Sequence, residues 1–420
     1  MTATSQSERS GRVTRGSARG CGRGNLAPTD SPLLDFTLSP EQARLVDLSD
    51  ELSRERFAPR AAKYDREATF PEEDYRDLAE HKLTAMNIPA EYGGLGLDRL
   101  TYALVLKNVA RGNASTALTL NMHSTLSYLV SVLANEEQKR KYFGGVVGEG
   151  KLFASISSEP SGSFRGAFSM EATAEQIEGG FRVSAFKHFC SLSTAASYYL
   201  TWALLPGRQP GDGLLYLLIP SDSHGIELVP TWDTMAMRST VSHSLRFTNV
   251  FVPAENQIGP PGQVLKHLDR FALGYCATYL GVAEAAYEFA HEYAATKTFA
   301  PDPNPISHHP NVQARIAEMS VLLEAANLLL RRAAMAVESG DERERTLALN
   351  QAKYFIGETA LQVTDLALKV VGGRALFRRY DLERFIRDAR AAPVMPPSSD
   401  RCLETVGRTL FNLSAATLEV

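Results

Sequence analysis

The chain has 420 residues, 44% of them hydrophobic and 22% charged, enough apolar sequence to bury a large core and to fill two or three domains. A net charge of −4 excludes the basic footprint of a nucleic-acid binder, and no apolar run approaches the roughly 18 residues that cross a bilayer. Four widely separated cysteines (Cys21, Cys190, Cys276, Cys402) form no CxxC pair, and no apolar stretch follows the basic N-terminus as a secretory signal would. Together these features predict a cytoplasmic chain without a disulfide framework, metal site or membrane span.

Residues 1–30 hold five arginines against Glu8 and Asp30 and almost no large apolar side chains. Such a segment cannot bury enough surface to fold, which predicts a disordered basic tail; a targeting segment or a basic contact arm are the alternatives. Residues 31–150 read as an N-terminal helical domain. Ser39-Pro40-Glu41-Gln42 opens one helix with a cap, a first-turn proline and a capping-box glutamine, and Leu45, Leu48, Leu52 and Phe57 continue its apolar face. Asn113-Ala114-Ser115 precedes a second helix, and Glu136-Glu137-Gln138-Lys139-Arg140 starts a short one. Residues 151–258 change period. Phe181, Val183 and Ala185 alternate, as do Leu200, Trp202 and Leu204, then Leu245 and Phe247, with Gly179-Gly180 and Pro210-Gly211-Asp212-Gly213 as breaks. This pattern predicts a central domain of antiparallel strands. Residues 259–420 return to helical spacing, with Ile316, Met319, Leu323, Ala326 and Leu330 on one face. The fold class is therefore α+β, in the order helices, strands, helices.

Several familiar chemistries are excluded. There is no GxxxxGK[ST] phosphate loop. Gly93-Gly94-Leu95-Gly96 lacks the third glycine and preceding strand of a dinucleotide turn. Ser184-Ala185-Phe186-Lys187 matches S-x-x-K but sits in a strand pattern rather than opening a helix. The adjacent His308 and His309 lack a carboxylate at ligand spacing, so no metal ligands are assigned.

Six segments then fall into one pattern. They are Ile88-Pro89-Ala90-Glu91-Tyr92-Gly93-Gly94-Leu95-Gly96, Glu136–Tyr142, Ser158-Glu159-Pro160-Ser161-Gly162-Ser163 and Lys187-His188-Phe189-Cys190-Ser191. The fifth joins Met235–Thr240 with Phe247–Pro253, and the sixth joins Val371-Gly372-Gly373 with Arg384–Arg390. In this order they resemble the acyl-CoA dehydrogenase family. The resemblance implies an N-terminal helical domain, a central antiparallel β-barrel-like domain and a C-terminal four-helix bundle. It also implies FAD and a homodimer or homotetramer. By the same resemblance Ser155, Ser157, Ser158 and Ser163 lie near the flavin, Ser191 places a hydroxyl by its reactive nitrogen, and Phe189 covers the ring. A flavin needs such hydrogen bonds at its polar rim and a covered face. Gly372 and Gly373 would meet the FAD of a neighbouring subunit; a plain helix cap is compatible with that role. Lys297 stands near the place of an arginine that contacts FAD, offering a point charge without bidentate geometry. His123 is either core or flavin-adjacent.

The chain departs from the family at the catalytic base. Pro396 stands where many members carry a glutamate, and Phe271-Ala272 stands where others carry it on an earlier helix. Asp400 and Asp269 are the displaced candidates. Against them stand a helix cap for Asp400 and a salt-bridged early-turn carboxylate for Asp269; Glu404 is expected to pair with Arg408. The expected reaction is dehydrogenation of an acyl thioester, on CoA or an acyl-carrier protein, with electron-transfer flavoprotein or oxygen as acceptor. The alternatives are a flavin monooxygenase or oxidase on the same fold, and a non-catalytic flavoprotein subunit.

Overall fold

Ser39 caps the first helix as its sequence predicts: its Oγ accepts the Gln42 N–H at 3.3 Å, and Gln42 Oε1 accepts the Ser39 N–H at 2.7 Å. The computed structural model describes residues 36–160 and 171–413. The predicted tail and Ser163 lie outside them. From Leu38 onward the described residues belong to one unit.

Six helices come first: α1 (Pro40–Leu52), α2 (Ala58–Glu67), α3 (Glu72–Glu80), α4 (Arg99–Gly112), α5 (Ala114–Leu133) and α6 (Glu136–Glu149). Asn113 caps α5 through the N–H groups of Ser115 and Thr116. Most of α5 is buried, including Thr116, Asn121, His123, Ser124 and Thr125, so its small polar side chains must find partners inside the protein. His123 does so fully. Its Nδ1 accepts the Phe153 N–H at 3.0 Å and its Nε2 donates to Thr84 O at 2.9 Å, which fixes a neutral ring. Burial accordingly pushes its pKa down to about 4.

The middle block is a seven-stranded sheet. Its strands are β1 (Phe153–Ile156), β2 (Thr173–Ile177), β3 (Gly180–Lys187), β4 (Tyr198–Leu204), β5 (Leu214–Pro220), β6 (Ile226–Val229) and β7 (Ser244–Pro253); a single turn, α7 (Pro210–Gly213), leads into β5. Pairing is antiparallel for β4–β5, β2–β3, β3–β7 and β7–β6. Two pairings are parallel, β1 along the first half of β4 and β2 at Leu204. Ser158 also bridges to His188 at the end of β3. Hence β1 and β2 lie end to end in the same gap between β4 and β3. The β4–β5 pair is buried on both faces. Leu200, Trp202, Tyr216 and Leu218 pack with Leu126, Val130 and Phe143 of α5 and α6, while Tyr199, Ala203, Leu217 and Ile219 face the sheet's own interior.

The C-terminal block is helical: α8 (Phe271–Thr296), α9 (Pro310–Glu338), α10 (Glu342–Val371), α11 (Leu382–Ala389) and α12 (Ser399–Leu410). Helices α8, α9 and α12 all pack on α10, and α8 also packs on α4 and α5. Gly281 makes the α8–α4 approach possible, because a Cβ there would stand 2.3 Å from Lys107 O. Arg387 fastens the blocks together. Its guanidinium meets Asp65 Oδ1 at 3.0 Å and Oδ2 at 2.6 Å, Met235 O at 2.6 Å and Glu383 Oε2 at 2.7 Å. Beside it the buried Asp388 accepts the Met237 N–H at 2.7 Å. Among the described residues no helix is long and apolar enough to cross a membrane.

Candidate active site

The bridge between Ser158 and His188 brings the ends of β1 and β3 together. Ser155 and Ser157 share a strand face, and their Oγ atoms stand 3.4 Å apart; Ser158 is exposed on the other side. Below them the fully buried Lys187 forms an ion pair with Glu159 and donates to Trp202 O at 3.2 Å. Glu159 also accepts the N–H groups of Glu171 and Ala172. Burial pulls the Lys187 ammonium's pKa down, and the Glu159 carboxylate opposes it. This pair fixes both β1's exit and the start of β2. The S-x-x-K spacing at Ser184 thus ends on a structural lysine.

Phe189 lies beyond β3 in the left-handed region, with φ 54°, and is 66% exposed. It is therefore no core residue. Its ring stands edge-on to Trp232 at 6.1 Å. An exposed aromatic in a sparsely populated conformation is a candidate functional position. Cys190 behind it is inert: burial pushes its thiol up to about 12.

Ser191 begins a file of hydroxyls. Its Oγ is 2.9 Å from Ser242 Oγ, which is 2.7 Å from Thr240 Oγ1, which donates to Met237 O at 2.9 Å. Met237 O can only accept. Thr240 spends its one hydroxyl proton on that carbonyl, so Ser242 donates to Thr240 and Ser191 to Ser242, and Ser191 keeps its lone pairs for an outside N–H. The row therefore suits a ring N–H. Sequence reasoning quoted the segment that holds Thr240 and missed Ser242. The two join Ser191 only because the turn before β7 folds against the turn after β3.

The remaining positions form a second patch. Lys297 follows α8 with its Nζ 5.5 Å from the centroid of Phe299, and Arg374 covers the same ring at 4.8 Å. Gly372 ends α10 at φ 72° and ψ −158°, and nothing stands within 4 Å of a Cβ on it or on Gly373. Lys297 and the glycines are thus neighbours through Phe299 and Arg374. No contact among the described residues joins this patch to Ser191.

The two base candidates sit differently. Asp269 is paired with Arg345 at 2.9 Å and lies 3.5 Å from Arg270 Nε, as a salt-bridged early-turn carboxylate should. Asp400 is exposed in the first turn of α12. The cap expected of Asp400 is made two residues earlier, by Ser398 Oγ accepting the Arg401 N–H, because serine reaches that N–H from the extended backbone of the cap position. Glu404 pairs with Arg401 at 2.7 Å, three residues before it on α12. Pro396 and Phe271 carry no proton acceptor. His123 is a satisfied core histidine, behind β1.

These residues fit a flavin. Hydroxyls suit a polar ring edge, an exposed aromatic suits a ring face, and an open pair of glycines beside two cations suits a pyrophosphate. Three sequence profiles match in order: "Acyl-CoA dehydrogenase, N-terminal domain" over residues 39–149, "middle domain" over 154–250 and "C-terminal domain" over 262–411. The chain is 30% identical to the acyl-CoA dehydrogenase homologue YdbM of Bacillus subtilis (strain 168), across 84% of this chain and 93% of that one. The structure is similar to butyryl-CoA dehydrogenase from Megasphaera elsdenii, with a TM-score of 0.84, 25% identity and coverage of 90% and 100%. It is also similar to FMN-bound TdsC from Paenibacillus sp. A11-2, with a TM-score of 0.81, 26% identity and coverage of 88% and 97%. The helix–sheet–helix architecture, the hydroxyl file and these matches have one common account: the chain belongs to the acyl-CoA dehydrogenase family of flavin-dependent oxidoreductases.

Proposed function

We propose that the protein is an FAD-dependent dehydrogenase that introduces an α,β double bond into an acyl thioester, carried by CoA or by an acyl-carrier protein. The observation that carries this reading is the convergence of Ser155, Ser157, Phe189, Ser191 and Ser242 at one end of the sheet, in a chain of this family. FAD, when bound, supplies the acceptor for the β hydrogen, which leaves as hydride. Ser191, backed by Ser242 and Thr240, holds the polar rim of the ring, and Phe189 covers a face and excludes water. Lys297, Gly372 and Gly373 hold the phosphates of a cofactor bound by a second copy, so the working unit is a homodimer or homotetramer. Removal of the α proton needs a carboxylate. Asp269 is engaged by Arg345, so Asp400 is assigned that role. Electron-transfer flavoprotein or oxygen takes the electrons in a cytoplasmic setting.

The test is anaerobic bleaching of the flavin by a panel of acyl thioesters. Bleaching with at least one thioester is expected. A second reading, a flavin monooxygenase, is favoured by the absence of a carboxylate at Pro396 together with the likeness to TdsC. It moves ahead if no thioester bleaches the flavin while the chemically reduced protein reacts with oxygen.

A further inference from the structure

The turn between β6 and β7 is strained at two places. Met237 and Val241 flank the single helical turn Arg238–Thr240, and both have left-handed backbones, with φ 52° and 44°. A β-branched residue such as Val241 rarely enters that region. Such strain persists only where the surroundings over-determine it, and here they do. Arg238 Nε donates to Asp65 O and its Nη1 to Thr234 O, each at 2.8 Å. The Leu192 N–H reaches Thr240 O at 3.0 Å, and Ser193 Oγ donates to Val241 O. The C-terminal block adds one more hold: Asp388 Oδ1 on α11 accepts the Met237 N–H at 2.7 Å.

A buried carboxylate is a costly acceptor for one N–H. Asp388 is 3% exposed, and the two arginines beside it on α11 are engaged elsewhere, Arg384 by Asp381 at 2.7 Å and Arg387 by Asp65 and Glu383. Burial pushes its carboxyl up to about 6, against the pull of the Met237 N–H and of Arg384. What Asp388 holds is the residue on which the site's hydrogen bonds converge. Met237 O accepts Thr240 Oγ1 at 2.9 Å, the foot of the row that ends at Ser191. It also accepts Trp232 Nε1 at 3.2 Å, and the Trp232 ring stands against Phe189. One residue thus governs both the hydroxyl row and the aromatic pair.

We propose that Asp388 is a positioning residue for the flavin: by holding Met237 it fixes the direction of the hydroxyl row, so that Ser191 accepts from the ring N–H that reduction creates and the protein favours the reduced cofactor. Reduction turns the reactive ring nitrogen from an acceptor into a donor, so a fixed acceptor beside it raises the reduction potential. Released from Met237 O, the three hydroxyls can reverse, and Ser191 then serves the oxidised ring equally well. The proposal rests on the placement of Ser191 at that nitrogen and does not depend on the substrate. Helix α11 also leads into the turn that carries Pro396, so one helix sets both the flavin's rim and the place of the missing base.

The experiment measures the midpoint potential of the flavin-loaded protein, without substrate, by equilibration with a reference dye. Asp388→Ala should lower it by about 30 mV, a tenfold loss of preference for the reduced form of a two-electron couple. Ser191→Ala should lower it too. Asp388→Asn keeps an acceptor for the Met237 N–H and should stay near wild type. In a Ser191→Ala background Asp388→Ala should add nothing, because both act through one row. A wild-type potential in Asp388→Ala overturns the proposal, even where the variant melts at a lower temperature, since the carboxylate is then structural only. An additive fall in the double variant overturns it as well. A wild-type potential in Ser191→Ala overturns the placement of Ser191 at the ring, and the proposal with it. Where Asp388→Ala does not retain flavin, Thr240→Val carries the test, because it removes the hydroxyl that ties the row to Met237 O. It should lower the potential, and an unchanged value overturns the proposal.

Discussion

Proline at 396 leaves the turn before α12 without a proton acceptor, and the nearest free carboxylate in sequence is Asp400. Loss of a positioned base costs about 10²–10⁴ in rate. Asp400→Asn should therefore abolish flavin reduction by an acyl thioester with FAD still bound, whereas Asp269→Asn should do little. Rapid-reaction absorbance at the flavin band measures both, and an Asp400→Asn protein that reduces at the wild-type rate removes Asp400 from the mechanism. His123 makes a pH prediction. Its folded pKa of about 4 lies below the ordinary 6.5, so the unfolded chain binds the extra proton between those values. Its contribution is complete above pH 6.5 and is lost as pH falls toward 4, on the order of 3 kcal/mol in all. Urea midpoints at pH 7.5 and 5 should fall further apart in the wild type than in His123→Gln. At this scale the sequence showed Ser191 and Phe189, because a motif carries them. Ser242 was invisible, because its partner is set by a tertiary contact between two turns. The cap of α12 was missed by two residues, since Ser398 and Asp400 are both good caps and only the backbone path decides between them.

Helix α10 ends at Gly372 in a region of backbone space that is essentially reserved for glycine, with φ 72° and ψ −158°. Gly372→Ala should cost about 1–3 kcal/mol from strain alone, since no atom stands within 4 Å of the added Cβ. A thermal melt that does not move would show that the turn relaxes freely. FAD retention in the same variant tests the patch shared with Lys297. The helices were readable from caps and apolar spacing, as at Ser39, Asn113 and the face from Met319 to Leu330. The strands were readable where the apolar residues alternate, as at Phe181, Val183 and Ala185. Leu200, Trp202 and Leu204 also marked β4, whereas β5 shows no alternation, because its apolar residues occupy both faces and α5 and α6 cover the outer one. The parallel placement of β1 beside β4 left no local trace either, since strand direction is set by connections and not by the residues of the strand.

On the scale of the whole molecule, the order of helices, strands and helices followed from changes of period alone, and only the resemblance said what the three blocks form together. The basic residues 1–30 lie apart from that order. Their deletion should leave the melting temperature and the flavin content unchanged, by differential scanning fluorimetry and absorbance; a large loss of either would make the segment structural. The clasp at Arg387 bears on the order in which the chain can be completed. Its partner Asp65 lies 322 residues earlier. At a synthesis rate of about 5–20 residues per second, Asp65 waits roughly 16 to 64 s on the ribosome before that arginine exists. Until α8 is made, itself before Arg387, the apolar sides of α4 and α5 that it will cover, among them Val109, Ala110 and Ala117, have nothing to pack against. The early helices therefore spend a large part of translation uncovered and sticky. A nascent chain of this design should draw on holdase chaperones until its last third emerges.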